Sequence, residues 1–94
     1  MKNIEGKKNH KKELLLKVVG DLVKEKRQLK NKGILLLSYE FDISNSSISS
    51  LEKGQRDVQL STIWKIANAL GMNFSEFVNE VELRLPKDFK LIED

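Results

Sequence analysis

Apolar residues recur at helical spacing along most of this chain, and short polar stretches carrying asparagine, aspartate, serine or glycine separate the runs. From Glu13 onward Leu15, Val19, Leu22, Val23 and Leu29 keep that spacing, while Lys17, Lys24, Glu25, Lys26 and Arg27 fill much of the rest. The pattern predicts an amphipathic first helix of about four turns. Asn31-Lys32-Gly33 ends it, since Asn and Gly both tolerate positive φ. Ile34-Leu35-Leu36-Leu37 comes next, four apolar residues that by pattern alone could open a buried strand. Ser38-Tyr39-Glu40-Phe41 continues without strand alternation, and Leu37 with Phe41 makes an i, i+4 pair, so the segment is read as a short helix. Asp42-Ile43-Ser44 then forms a turn.

The stretch that follows, Ser44 to Lys53, organises the rest. Ser44 suits a helix N-cap, because its hydroxyl can accept from an unpaired backbone N–H of the first turn. Ile48 and Leu51 lie three apart and share the face that anchors this helix to a core. Asn45, Ser46, Ser49 and Ser50 are small and polar, which suits a helix entering a groove about 12 Å wide. A serine-rich amphipathic helix that simply faces water has the same pattern. Gly54 stops the helix with a residue free to take positive φ. Two short helices joined this tightly form a helix-turn-helix unit. After a polar connection over 55–59, Leu60 to Leu70 carries Ile63, Ile66, Ala67 and Leu70 on one face and stops at Gly71. Trp64 falls beside that stripe, at the rim of the expected core. Asn73 or Ser75 caps a fifth helix with Phe74, Phe77, Val78 and Val81 inward. Pro86 prevents its continuation, leaving Leu85 to Ile92 as an extended apolar tail. The expectation is an all-α domain over 13–84, a basic arm over 1–12 and a tail over 85–94, with no strand.

Composition narrows the function. Ninety-four residues make one domain of modest core. Cysteine is absent, so neither a disulfide nor a thiolate metal site is available. His10 stands in a lysine-rich leader and reads as a solvated residue. Ser46, Ser49 and Ser50 have no plausible base partner, and nothing resembles the converging groups of an active site, so no enzyme, cofactor or metal is expected. No apolar run approaches the roughly 18 residues of a membrane span, and the Met-Lys-Asn start lacks a secretory apolar region, making a reducing cytoplasm the expected compartment. The formal charge of +3 is uneven. Residues 1–32 hold eleven Lys/Arg against four acids, whereas 33–94 hold six against ten. The basic end is the natural place for a polyanion. Met1 to Lys12 has too little apolar surface to offset its ordering entropy and is expected to be flexible when free.

Two segments together carry a resemblance. Asp42-Ile43-Ser44-Asn45-Ser46-Ser47-Ile48-Ser49-Ser50-Leu51-Glu52-Lys53-Gly54, then Thr62-Ile63-Trp64-Lys65-Ile66-Ala67-Asn68-Ala69-Leu70-Gly71, resembles the lambda-repressor/Cro-like (Xre-type) helix-turn-helix proteins. The resemblance covers about residues 15 to 80. It implies a compact five-helix DNA-binding domain whose helix after the turn enters the major groove. It places Asn45, Ser46 and Ser50 on base edges, and Ser44, Ser47, Lys53 and Arg56 near the sugar-phosphate backbone. Asn45 could pair two-pronged with adenine, worth about 1–3 kcal/mol of discrimination, whereas serine accepts or donates to nearly any base. Specificity should therefore be modest. Glu52 matches a carboxylate that the family pairs with an arginine of the first helix, and Arg27 stands at the matching position.

Three departures matter. Asp42 replaces the usual turn glycine, and Ile34 replaces the polar residue that often contacts phosphate. Leu35 and Leu36 would then point outward with Ile34, an apolar patch to be covered by Phe89, Leu91 and Ile92 of the tail or by another chain. Cations near the reading helix are few, namely Lys53, Arg56 and Lys65; Lys7, Lys8, Lys11 and Lys12 of the leader could supply the missing charge. The resemblance thus implies a sequence-specific transcriptional regulator on double-stranded DNA, as a homodimer with half-sites about 34 Å apart. The alternative is a protein-interaction or antitoxin-like module on the same fold, holding a partner through Ile34, Leu35 and Leu36.

Overall fold

The computed structural model describes residues 2–92, with side chains from His10 onward. Five helices follow one another: α1 (Lys2–Leu29), α2 (Ile34–Phe41), α3 (Asn45–Glu52), α4 (Leu60–Ala69) and α5 (Phe74–Arg84). No strand occurs among the described residues, so the class is the expected one. The core draws on every helix: Leu22 and Val23 from α1, Leu37 from α2, Ile48 and Leu51 from α3, Ile66, Ala67 and Ala69 from α4, and Phe77 and Val81 from α5. Ile43 of the turn and Leu70 after α4 complete it. α1 packs on α3 and α5, α2 on α3, and α4 on α5.

The start of α1 lies further back than Glu13. His10, Lys11 and Lys12 continue the helix, and two lysines there are tethered to the body. Lys11 Nζ donates to the Ile92 carbonyl at 3.1 Å, and Lys12 Nζ lies 3.5 Å from Asp57. The rest of the arm expected over 1–12 lies outside the residues whose side chains are described. At the other end of α1, Asn31 takes the left-handed conformation (φ 56°). Gly33 does not share that task, because at φ −77° and ψ 167° it is the extended N-cap of α2. The apolar run Ile34–Leu37 is helical, with Leu37 as the buried anchor.

Asp42 closes α2 at φ 53° and ψ 51°, the left-handed geometry that the turn glycine would otherwise supply. Aspartate tolerates this region better than most residues. Ser44 then caps α3, its hydroxyl accepting from the Ser47 N–H at 3.3 Å, and Gly54 stops the segment at φ 69°. At α5 the cap is Asn73 rather than Ser75: the Asn73 N–H donates to the Glu76 carboxylate at 2.8 Å. Trp64 is 48% exposed and stacks on Phe74 with centroids 4.4 Å apart; Phe74 in turn lies 6.3 Å from Phe77. The ring therefore sits at the core rim, as expected.

α5 is held to α1 by ion pairs, with Lys26 3.1 Å from Glu80 and Arg84 3.0 Å from Glu25. Beyond it the tail turns at Pro86–Phe89, where Asp88 is left-handed (φ 61°) and the Phe89 N–H donates to the Pro86 carbonyl at 3.0 Å. The turn folds the chain back toward Leu15, bounding an open groove of about 940 Å³. Of the two covers expected for the apolar patch, this geometry removes the tail: directed at α1, it leaves Leu35 and Leu36 uncovered, 71% and 46% exposed. Ile34 departs from the expected patch too, since it is half-buried against the core.

Candidate nucleic-acid interface

The position of α3 is fixed from behind at two points. The first is Gly20, buried in the middle of α1, where a Cβ would lie 2.3 Å from the Leu51 carbonyl oxygen and 2.9 Å from that of Glu52. Only a residue without a side chain lets the helices approach this closely. Sequence reasoning did not single out Gly20. The available signal was an isolated glycine inside a helical pattern, a costly choice that calls for a packing reason.

The second point is the pair Arg27–Glu52. Arg27 donates from Nε to Glu52 Oε2 at 2.6 Å and from Nη2 to Oε1 at 2.8 Å, while Nη1 reaches the Lys32 carbonyl at 2.9 Å. Side-chain exposure is 11% for Arg27 and 6% for Glu52. The hydrogen bond to Glu52 raises the guanidinium above its ordinary pKa, against the opposing effect of burial. A fork-to-fork contact of this kind fixes direction as well as distance. It joins the last residue of α3 to α1 and to the loop before α2. Its desolvation offsets much of its attraction, so its main effect is on geometry.

With Ile48 and Leu51 buried behind, the other side of α3 faces outward. Asn45 and Ser46 are exposed, and Ser49 and Ser50 are half-buried. Ser44 and Ser46 place their hydroxyls 3.0 Å apart. Ser47 lies at the flank, where its hydroxyl accepts from Arg56 Nη1 at 3.1 Å. The structure thus gathers Ser44, Asn45, Ser46, Ser47 and Ser50 on one short helix and folds Arg56 back beside its N-terminal half. Lys53 is exposed at the opposite end, as the C-cap. Lys65, counted in the sequence among the nearby cations, is exposed but engaged within the protein: its Nζ donates to the Asp42 carbonyl at 3.2 Å.

A helix-turn-helix family model matches residues 23–77, more than half of the chain. The protein belongs to the lambda-repressor/Xre-type helix-turn-helix family of DNA-binding regulators. No curated protein and no solved structure matches it. The helix-turn-helix match runs from Val23, two turns before the end of α1, to the core residue Phe77, so it includes Arg27, the turn and all of α3. The first three quarters of α1, Gly20 among them, the end of α5 and the tail lie outside it. Among the described residues, no helix is long and apolar enough to cross a membrane.

Proposed function

We propose that this protein is a sequence-specific transcriptional regulator that reads the major groove of double-stranded DNA with α3, as a homodimer in the cytoplasm. The observation that carries this reading is the outward face of α3: polar, slim, unobstructed by its own chain, and backed by Gly20 and the Arg27–Glu52 pair. Asn45, Ser46 and Ser50 are the base-reading residues in this account. Asn45 is the one with paired donor and acceptor for adenine. Ser44, Ser47, Lys53 and Arg56 lie toward the phosphates, and the lysine-rich leader adds attraction that is independent of sequence. Arg27 and Glu52 hold the frame without touching DNA.

Selection of duplexes from a random pool tests binding, symmetry and half-site spacing together. Asn45→Ala should relax preference at one position of the selected site, whereas Lys53→Met should weaken all duplexes alike and flatten the salt slope by about one. Equal loss on every duplex from Asn45→Ala would remove it from the reading set.

A second reading rests on the exposed Leu35 and Leu36, which Tyr39 joins at 88% exposure on the same side of α2. A patch of this kind favours a protein-interaction or antitoxin-like role. Absence of any mobility shift with random duplex at low salt would select it over the DNA reading.

A further inference from the structure

The turn between α2 and α3 decides where Asn45 and Ser46 point, because those two residues open the helix that leaves it. Its inner side is locked by Ser38. The Ser38 carbonyl accepts the N–H groups of both Asp42 and Ile43, the latter at 3.1 Å, and its hydroxyl donates to the Ile43 carbonyl. Ile43 itself is buried. The outer side has a different anchor. The Asp42 carbonyl belongs to a residue in left-handed geometry at the negative end of α2, where unsatisfied carbonyls favour a cation. Lys65 delivers that cation from α4, at 3.2 Å. Its neighbours Ile66 and Ala67 are fully buried, so the root of the lysine is fixed by the core.

We propose that Lys65 is a positioning residue for DNA reading: it ties the Asp42 turn to α4 and so sets the direction of α3, rather than serving as a phosphate contact. This rests on the DNA-reading function proposed above. Glycine takes left-handed geometry without strain, whereas aspartate does so at a cost. A turn with Asp42 therefore gains from an external hold that a turn with glycine would not need.

The test uses the full-length protein with Lys65→Met, Lys65→Arg, Asp42→Gly and the double variant Asp42→Gly/Lys65→Met. Affinity is measured against salt on a duplex selected by the wild type and on a mixed-sequence duplex. Lys65→Met should weaken the selected duplex about three- to tenfold, the range for losing one ordinary hydrogen bond, since this one is exposed to water. Affinity for mixed sequence and the salt slope should stay unchanged. Lys65→Arg should retain binding, and Asp42→Gly should restore it in the double variant. Without DNA, exchange of the Ile43 amide should quicken in Lys65→Met and return toward wild type in the double variant. Equal weakening of both duplexes with a slope lower by about one would make Lys65 a phosphate contact and overturn the proposal. Unchanged Ile43 exchange would overturn it as well. If the wild type selects no duplex, the DNA reading fails instead, and the exchange measurement alone judges the hold of Lys65 on the turn.

Discussion

Replacing Gly20 with alanine tests the packing on which the candidate interface rests, because two known effects then act in opposite directions. In an exposed helix interior the change would stabilise by about 1 kcal/mol, the difference in helix propensity. In this structure the new Cβ would stand 2.3 Å from one backbone carbonyl oxygen and 2.9 Å from the next. Neither oxygen can rotate away as the end of a side chain would, so relief requires α3 to move as a unit away from α1. Overpacking typically costs about 1–3 kcal/mol, and rigid neighbours place this site at the upper end. The net expectation is a loss of about 2 kcal/mol, which for a domain of this size lowers Tm by about 10 °C. Far-UV circular dichroism with heat and urea measures it, with an unchanged urea slope confirming that compactness is preserved. Gly33→Ser serves as control: a Cβ there meets nothing within 4 Å, so stability should stay within about 0.5 kcal/mol. A Gly20→Ala protein as stable as the wild type, or more so, would refute the close approach of α1 and α3.

Two further predictions concern charge. Arg27→Ala leaves the Glu52 carboxylate, with 6% of its side chain exposed, without its partner, and should cost about 3–5 kcal/mol by urea denaturation. The double change Arg27→Met/Glu52→Leu should come out near neutral, and an equal loss from both would contradict the desolvation argument. The Glu25 carboxyl is held below its ordinary pKa, mainly by the Arg84 hydrogen bond, against an opposing desolvation and with smaller help from the Arg84 and Lys26 charges. Its folded pKa is depressed, so the link contributes above the ordinary carboxylate range and is lost as pH falls through the lower folded value. Arg84→Gln should bring the Glu25 midpoint back up in an NMR titration; an unmoved midpoint would deny Arg84 that role.

Most helices were legible because burial is periodic in this chain. Spacing assigns Leu22, Val23, Ile48, Leu51, Ile66, Ala67, Phe77 and Val81 inward, and all are buried; Leu29 and Val78 share the pattern but are exposed. The Ser44 cap and the Gly54 stop were equally readable, since each depends on one residue's local chemistry. Relations between distant segments were less so. Gly20 has no periodic signature that distinguishes a contact point from a defect. The sequence does not separate the roles of Asn31 and Gly33, because both tolerate the same backbone region, yet only Asn31 uses it. Lys65 is visible in the sequence only as a charge, whereas its engagement depends on a carbonyl twenty-three residues away. The direction of the tail was open for a similar reason: a turn after Pro86 rotates every later side chain, and composition does not encode the angle.

The economy of the α3 anchorage has an outcome for how such a protein can change. Two apolar side chains, one ion pair and one hydroxyl cap hold the segment in place, and none of them lies among Asn45, Ser46, Ser49 and Ser50. Of these, the exposed Asn45 and Ser46 can be rewritten together with little effect on the scaffold, so a library varied only there should keep its melting behaviour while diverging in the duplexes it retains.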